Sequence, residues 1–213
     1  MIQLYYSPGT ACLAPHFLLE ELGLPYELVL VDTEKKQHQE AAYLQLNPKG
    51  TIPFLIDDHL HLSESAAICF YLSENYGKHE FASSTDVKER AQLLQWLMYL
   101  SNTLQAELLS YFYPERLTED AITAAQVKAK ATQRIALMLD LIDQKLSESN
   151  CAYLLGEQIS IADLFLFMLC RWTRGMQKPA RVYPHLNPYL ALLLQRPAIV
   201  KAFTMEGLAA PYY

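Results

Sequence analysis

The sequence is poor in charge. Asp, Glu, Lys and Arg make up 19% of its 213 residues, below the usual globular share, and with 52% apolar residues this argues against disorder. No stretch reaches the uninterrupted apolar length of a membrane span. The start, Met1-Ile2-Gln3-Leu4-Tyr5, has neither a basic leader nor a long apolar run. It reads as a first strand rather than an export signal, and a cytoplasmic location is expected. The four cysteines, Cys12, Cys69, Cys151 and Cys170, form no C-x-x-C and no metal-site spacing. His16, His59, His61 and His185 complete none either. Free thiols and no metal are expected, with Cys69 and Cys170 in the core. A basic patch is also missing. Residues 1–80 carry 11 acids and 4 bases, and residues 81–213 carry 12 acids and 13 bases. Nucleic acid is therefore not an expected partner, and Arg171, Arg174, Lys178 and Arg181 read as a solvated helix end.

What is present falls into two parts. Residues 2–6 are rich in strand formers, Ser7-Pro8-Gly9-Thr10 breaks the chain, and residues 12–22 read as a helix stopped by Gly23. A strand follows at 26–31, then a polar stretch, a short helix at 40–46 and the turn Asn47-Pro48-Lys49-Gly50. Strands at 52–56 and 60–62 make a hairpin, and Ser63-Glu64-Ser65 opens a helix through Tyr76. The order β-α-β-α-β-β-α predicts a mixed four-strand sheet with helices on both faces. Pro53 near a strand start conflicts with a central ladder unless it occupies the first position or follows a cis bond. From residue 88 onward only helices are expected, at 87–112, 119–148, 161–173, 186–195 and 197–204. The expected organisation is an α/β domain at 1–78, a linker at 79–87 and an all-α domain at 88–213. Ser160 and Asp163 have the spacing of a reciprocal helix cap ahead of the wholly apolar run Leu164–Cys170, which marks a buried helix.

The first βα turn is the natural place for chemistry, because ligands of α/β sheets bind beyond the carboxyl ends of parallel strands, where helix N–H groups are free. Cys12 stands at that helix start. It is either a buried small residue or a thiolate stabilised by the helix field. Tyr6, Ser7 and Thr10 bring hydroxyls that could donate to a bound thiolate, although Thr10 also suits an N-cap and Tyr6 an ordinary strand position. Glu64 and Ser65 at the next helix start are either cap residues or the two halves of a site for an amino-acid-like ligand, Glu64 for its ammonium and Ser65 for its carboxylate. Lys35, Lys36 and His38 form a solvated loop with an available anion contact.

The stretches Leu4-Tyr-Tyr-Ser-Pro-Gly-Thr-Ala-Cys-Leu-Ala-Pro-His16, Asn47-Pro-Lys-Gly-Thr-Ile-Pro-Phe-Leu55, Leu62-Ser-Glu-Ser-Ala-Ala-Ile68, Ser160-Ile-Ala-Asp163 and Arg196-Pro197 together resemble the cytosolic glutathione transferase superfamily, closest to its bacterial beta class. The resemblance implies a thioredoxin-like N-terminal domain, an all-α C-terminal domain, a homodimer, and glutathione as co-substrate. It implies that Pro53 is the family's cis-proline and that Ile52 bonds the cysteinyl backbone. It also implies that Glu64 and Ser65 hold the γ-glutamyl end, that Lys36 lies near the glycyl carboxylate, and that Ser160 and Asp163 form the buried capping box. The sequence departs from the beta class where that class carries its active cysteine, directly after the position of Thr10. Ala11 stands there, and Cys12 comes one step, about 100° of helix, later. The His-Lys pair expected from the second domain is replaced by Gln105 and Ala106. Thr10, or else Ser7, is then the expected thiol activator. Tyr99 and Thr103, with Phe112 or Tyr113, are expected to line a pocket between the domains for a small apolar electrophile or a peroxide. Thiol–disulfide exchange through Cys12 and a non-catalytic interaction protein are the alternatives.

Overall fold

The computed structural model describes residues 1–78, 81, 84–149 and 151–213. Residues 79, 80, 82 and 83 of the expected linker lie outside the described residues. The chain gathers into two compact units. One comprises Met1–Ser83 and Leu194–Ala210, the other Ser84–Leu193 and Pro211–Tyr213.

The first unit is built on four strands, β1 (Ile2–Tyr6), β2 (Tyr26–Leu30), β3 (Phe54–Asp57) and β4 (Leu60–Ser63), in the order β2-β1-β3-β4. β1 runs parallel to β2 and antiparallel to β3, and β3 and β4 form the hairpin. The period-2 alternation of strands separates the two faces. Leu4 and Leu55, paired across β1 and β3, are fully buried. Tyr5 and Phe54 point to the other face, where Tyr5 meets Tyr43 of the short helix α2 (Ala41–Leu46) at 6.0 Å between ring centres. Helix α1 (Leu13–Leu22) buries every residue from Leu13 to Leu19. It packs against both α3 (Ser65–Tyr76) and the last helix of the chain. Gly23, in the left-handed conformation, ends it.

The second unit contains α4 (Val87–Tyr99), α5 (Ala106–Phe112), α6 (Ala121–Glu148), α7 (Ile161–Trp172) and, up to Leu193, α8 (Leu186–Leu194). The single helix expected over 87–112 is interrupted by a π-helical segment at Leu100–Gln105. There the Ser101 hydroxyl donates to the Leu97 carbonyl at 2.8 Å, the back-bonding by which serine disturbs a regular helix. Helix α7 is buried from Ile161 to Arg171, as its unbroken apolar run requires. Its capping box is formed. Asp163 accepts from Ser160 N–H (2.7 Å), Ser160 Oγ (2.8 Å), Leu154 N–H (2.8 Å) and the Tyr189 hydroxyl (2.7 Å).

The final helix, α9 (Pro197–Met205), belongs to the first unit, whereas the sequence reading grouped it with the helical domain. Phe203 packs edge-on against Phe17 of α1 at 5.2 Å. Arg196 donates to both carboxylate oxygens of Glu21, at 2.6 and 3.0 Å. Helical periodicity states that a segment is a helix; it carries no address for the surface that the helix covers.

Candidate functional site

Strand β1 ends at Tyr6, and the chain turns through residues 7–12 into α1. Gly9 holds φ at +71°, a conformation that a side chain would strain. The turn is knotted around one atom: the Ser7 carbonyl accepts from the Thr10 hydroxyl (2.8 Å) and from the Cys12 thiol (3.0 Å), while Ser7 N–H donates to Cys12 Sγ at 3.3 Å. Cys12 is fully buried. Burial, and then the Glu206 carboxylate, push its thiol up to about 12, against the opposing pull of its bonds to Thr10 and Ser7. Burial disfavours the thiolate form of such a group. Of the two readings of Cys12, this geometry favours the buried small residue over the attacking thiolate. The one-step offset turns the side chain into the core beneath the turn.

Thr10 is half-buried, with its hydroxyl 2.7 Å from Cys12 Sγ. It is not the helix cap. Cys12 occupies that position, and no side chain caps α1. Ser7 is buried, its hydroxyl 3.1 Å from Thr33 Oγ1, so it holds the turn to the loop after β2. Tyr6 is half-buried. Burial, the Glu206 charge and Cys12 raise its pKa, which keeps the phenol protonated, with its hydrogen available to donate, at neutral pH.

The second component is the turn before β3. Asn47 is buried and its amide donates to the Thr51 carbonyl at 2.8 Å, which also accepts from the Tyr43 hydroxyl at 2.7 Å. The Ile52–Pro53 bond is cis. Among the described residues, neither the N–H nor the C=O of Ile52 has a backbone partner. Gly50 lies against the His38 carbonyl so closely that an added Cβ would approach it to 2.9 Å, so His38 adjoins this turn. His38 Nδ1 is buried and has no hydrogen-bond partner. Lys36 is exposed, at φ 59°, its N–H donating to Thr33 C=O at 3.1 Å.

The third component is the start of α3. The register Phe54↔Ser63 brings Ile52 and Pro53 alongside Glu64 and Ser65. Glu64 holds φ 72° and ψ 113°, an uncommon backbone state for a non-glycine residue and one that gathers at ligand sites. No side chain caps the helix, so its first N–H groups are open to a ligand anion. The Ser65 hydroxyl donates to the Ala11 carbonyl at 2.7 Å and so binds α3 to the first turn. Glu64 pairs with Lys49, a contact that local sequence did not signal because both side chains belong to separate turns. The structure thus brings Thr10, Ile52, Pro53, Glu64 and Ser65 into one connected region of the first unit. Tyr99 and Thr103 stand in the second unit, both half-buried. Burial raises the pKa of Tyr99, and Thr103 lies in the π-helical segment. Among the described residues there is no group of three or more His, Cys, Asp or Glu able to hold a metal ion.

Comparison with known proteins gives this geometry a context. The N-terminal domain model of glutathione S-transferases matches residues 2–74, and the C-terminal domain model matches residues 104–192. The glutathione S-transferase-like protein OpS6 of Beauveria bassiana is 33% identical over 198 residues, covering 90% of this chain and 89% of its own. The chain belongs to the glutathione S-transferase family. Glutathione S-transferase GstA of Escherichia coli is 27% identical over 209 residues, 97% of this chain and all of its own. The crystal structure of a glutathione transferase homologue from Sulfitobacter with bound glutathione superposes with a TM-score of 0.88 at 26% identity, covering 98% of this chain and 99% of that one. The family's thioredoxin-like domain and helical domain are therefore the two architectures described above.

Proposed function

We propose that the protein binds glutathione across the three components of the first unit and activates its thiol for attack on a small apolar electrophile or a peroxide. The unpartnered Ile52 backbone beside the uncapped start of α3 carries this reading. It offers a donor and an acceptor to a peptide, next to open helix N–H groups for a carboxylate. In this reading the Ile52 N–H and C=O hold the cysteinyl residue, as the cis Pro53 position of the resemblance implies. The N–H groups at Ser65 receive the γ-glutamyl carboxylate, because the Ser65 hydroxyl proton is committed to Ala11. Glu64 takes the ligand ammonium in place of Lys49. Lys36 meets the glycyl carboxylate, as the resemblance implies.

The sulfur then lies at the first turn, where Thr10 donates to it. Thr10 can release the Ser7 carbonyl at small cost, since the Cys12 thiol already donates to the same oxygen. The hydrogen bond favours the thiolate. The thiolate forms a C–S bond to the electrophile as the leaving group departs with its electron pair. With a hydroperoxide it takes one oxygen, an alcohol leaves, and a second glutathione completes the disulfide and releases water. We also propose a homodimer, as the resemblance implies, with the exposed Leu94 and Met98 one turn apart on α4 available to it. No observation favours the exchange reaction through Cys12 or a non-catalytic role.

Calorimetry with reduced glutathione, followed by turnover with an aryl halide and with a hydroperoxide, tests the reading. Binding in the millimolar range or tighter is expected, with turnover that falls about a hundredfold in Thr10→Ala, the scale of one lost donor to a developing anion. No binding at millimolar glutathione would overturn the assignment. Binding with turnover indifferent to Thr10→Ala would remove Thr10 from its role.

A further inference from the structure

Beneath the first turn lies a chain of polar groups that the proposed chemistry does not use. Gly9 N–H donates to Glu206 Oε2 at 2.8 Å, and Glu206 Oε1 is 2.7 Å from His16 Nδ1. His16 Nε2 is 3.0 Å from the Tyr26 hydroxyl, and that hydroxyl donates to Glu20. Lys201 ends the chain at Glu20, 2.7 Å away. The side chains of His16 and Glu206 are both fully buried. The links join α1, β2, the segment after α9 and the turn that carries Thr10, across 197 residues of sequence between Gly9 and Glu206.

Counting hydrogens leaves this chain one proton short. Three links run in series, Glu206–His16, His16–Tyr26 and Tyr26–Glu20, and each needs one hydrogen. A neutral imidazole supplies one and the phenol one; two carboxylates supply none. Because Tyr26 donates to Glu20, its oxygen must accept from His16 Nε2–H. The 2.7 Å approach of Nδ1 to Oε1 would then set two lone pairs against each other unless a further proton lies between them. With that proton present, the charges of Glu206, His16, Glu20 and Lys201 cancel, as burial demands.

We propose that His16 and Glu206 are positioning residues that share one stored proton and, through the Gly9 N–H, clamp the turn that presents Thr10. This rests on the proposed role of that turn in thiol activation. Glutamine at 206 provides the discriminating substitution. Its amide oxygen can accept from Gly9, and its NH₂ can donate to a neutral His16 Nδ1, so all three links are satisfied without the extra proton. Alanine satisfies neither neighbour.

The experiment has two arms. In the first, nitrogen NMR of the histidine-labelled wild-type protein near neutral pH reads His16 directly. The expected signature has His16 Nε2 protonated and a proton shared between Nδ1 and a carboxylate. An unprotonated, unshared Nδ1 would overturn the proposal whether or not the protein binds glutathione. In the second, Glu206→Ala is expected to lower kcat about ten- to hundredfold, the scale of a misplaced catalytic group, with KM for glutathione changed less than about threefold. Glu206→Gln is expected to recover most of that loss and to remove the shared-proton signal. Equal kcat in Glu206→Ala and wild type, or a glutamine variant no better than alanine, would sink the clamp. Should the alanine variant fail to fold, the wild-type spectrum and the glutamine variant still decide. Failure of wild type to bind glutathione would instead count against the proposed function, leaving the NMR arm intact.

Discussion

At the scale of single residues, the most consequential fact is the direction of one thiol. Cys12 sits where a helix field lowers a thiol pKa, yet it lies with no exposed surface and is raised to about 12. Desolvation outweighs the helix field because the charged form would have no water and would face the Glu206 carboxylate. Cys12→Ser is therefore expected to keep turnover within a few-fold of wild type. Alkylation of the native protein should label Cys151, the exposed cysteine among the four, long before Cys12. Rapid native labelling of Cys12, or turnover abolished by serine, would contradict its buried role. The sequence offered Cys12 as either a plug or a nucleophile, and no local pattern could choose between them. A side chain at a helix start has its neighbours set by whatever lies beneath the turn.

At the scale of elements, α7 shows how much a local pattern can hold. The Ser160–Asp163 spacing and the apolar run after it announce a capped, buried helix, and that helix is present with its box formed. Spacing could not announce that the same carboxylate also receives Leu154 N–H and the Tyr189 hydroxyl. Asp163 is thus a junction of four donors rather than a cap alone. Asp163→Ala leaves several buried donors without acceptors, each costing about 1–3 kcal/mol. A loss of at least about 3 kcal/mol in urea unfolding is expected, and a loss below about 1 kcal/mol would show that the junction is dispensable. The π-helical segment at Leu100–Gln105 is the converse case. Its sequence reads as an ordinary continuation of α4, and the widened turn emerges only with the backbone in place.

For the molecule as a whole, stability should depend on pH through carboxylates that bridge distant segments. Asp143 of α6 accepts from His185 N–H and Leu186 N–H, both at 2.8 Å, and from the His185 ring at 3.0 Å. Burial alone would raise its pKa, but the His185 ring and the two backbone donors outweigh burial and hold it below the usual value. A depressed folded-state pKa contributes stability above the unfolded value of about 3.9, and that stability disappears as pH falls through the folded value. Wild type should therefore lose unfolding free energy as the pH falls below about 4, and Asp143→Asn should show a shallower acid slope. Parallel slopes for the two proteins in urea melts at descending pH would remove Asp143 from the acid response.

The order of strands and helices, the helix stops, the capping box and the family were all determined by the sequence itself. Each is written in residues near one another along the chain, where propensity, spacing and turn chemistry act. The tertiary structure alone decided that Cys12 points inward, that α9 covers α1 rather than joining the helical unit, and that Glu206 reaches Gly9 across 197 residues. Those outcomes follow from which buried surfaces and unpaired polar groups find each other once the chain is compact. Burial energy depends on partners in space, and a linear pattern does not name them.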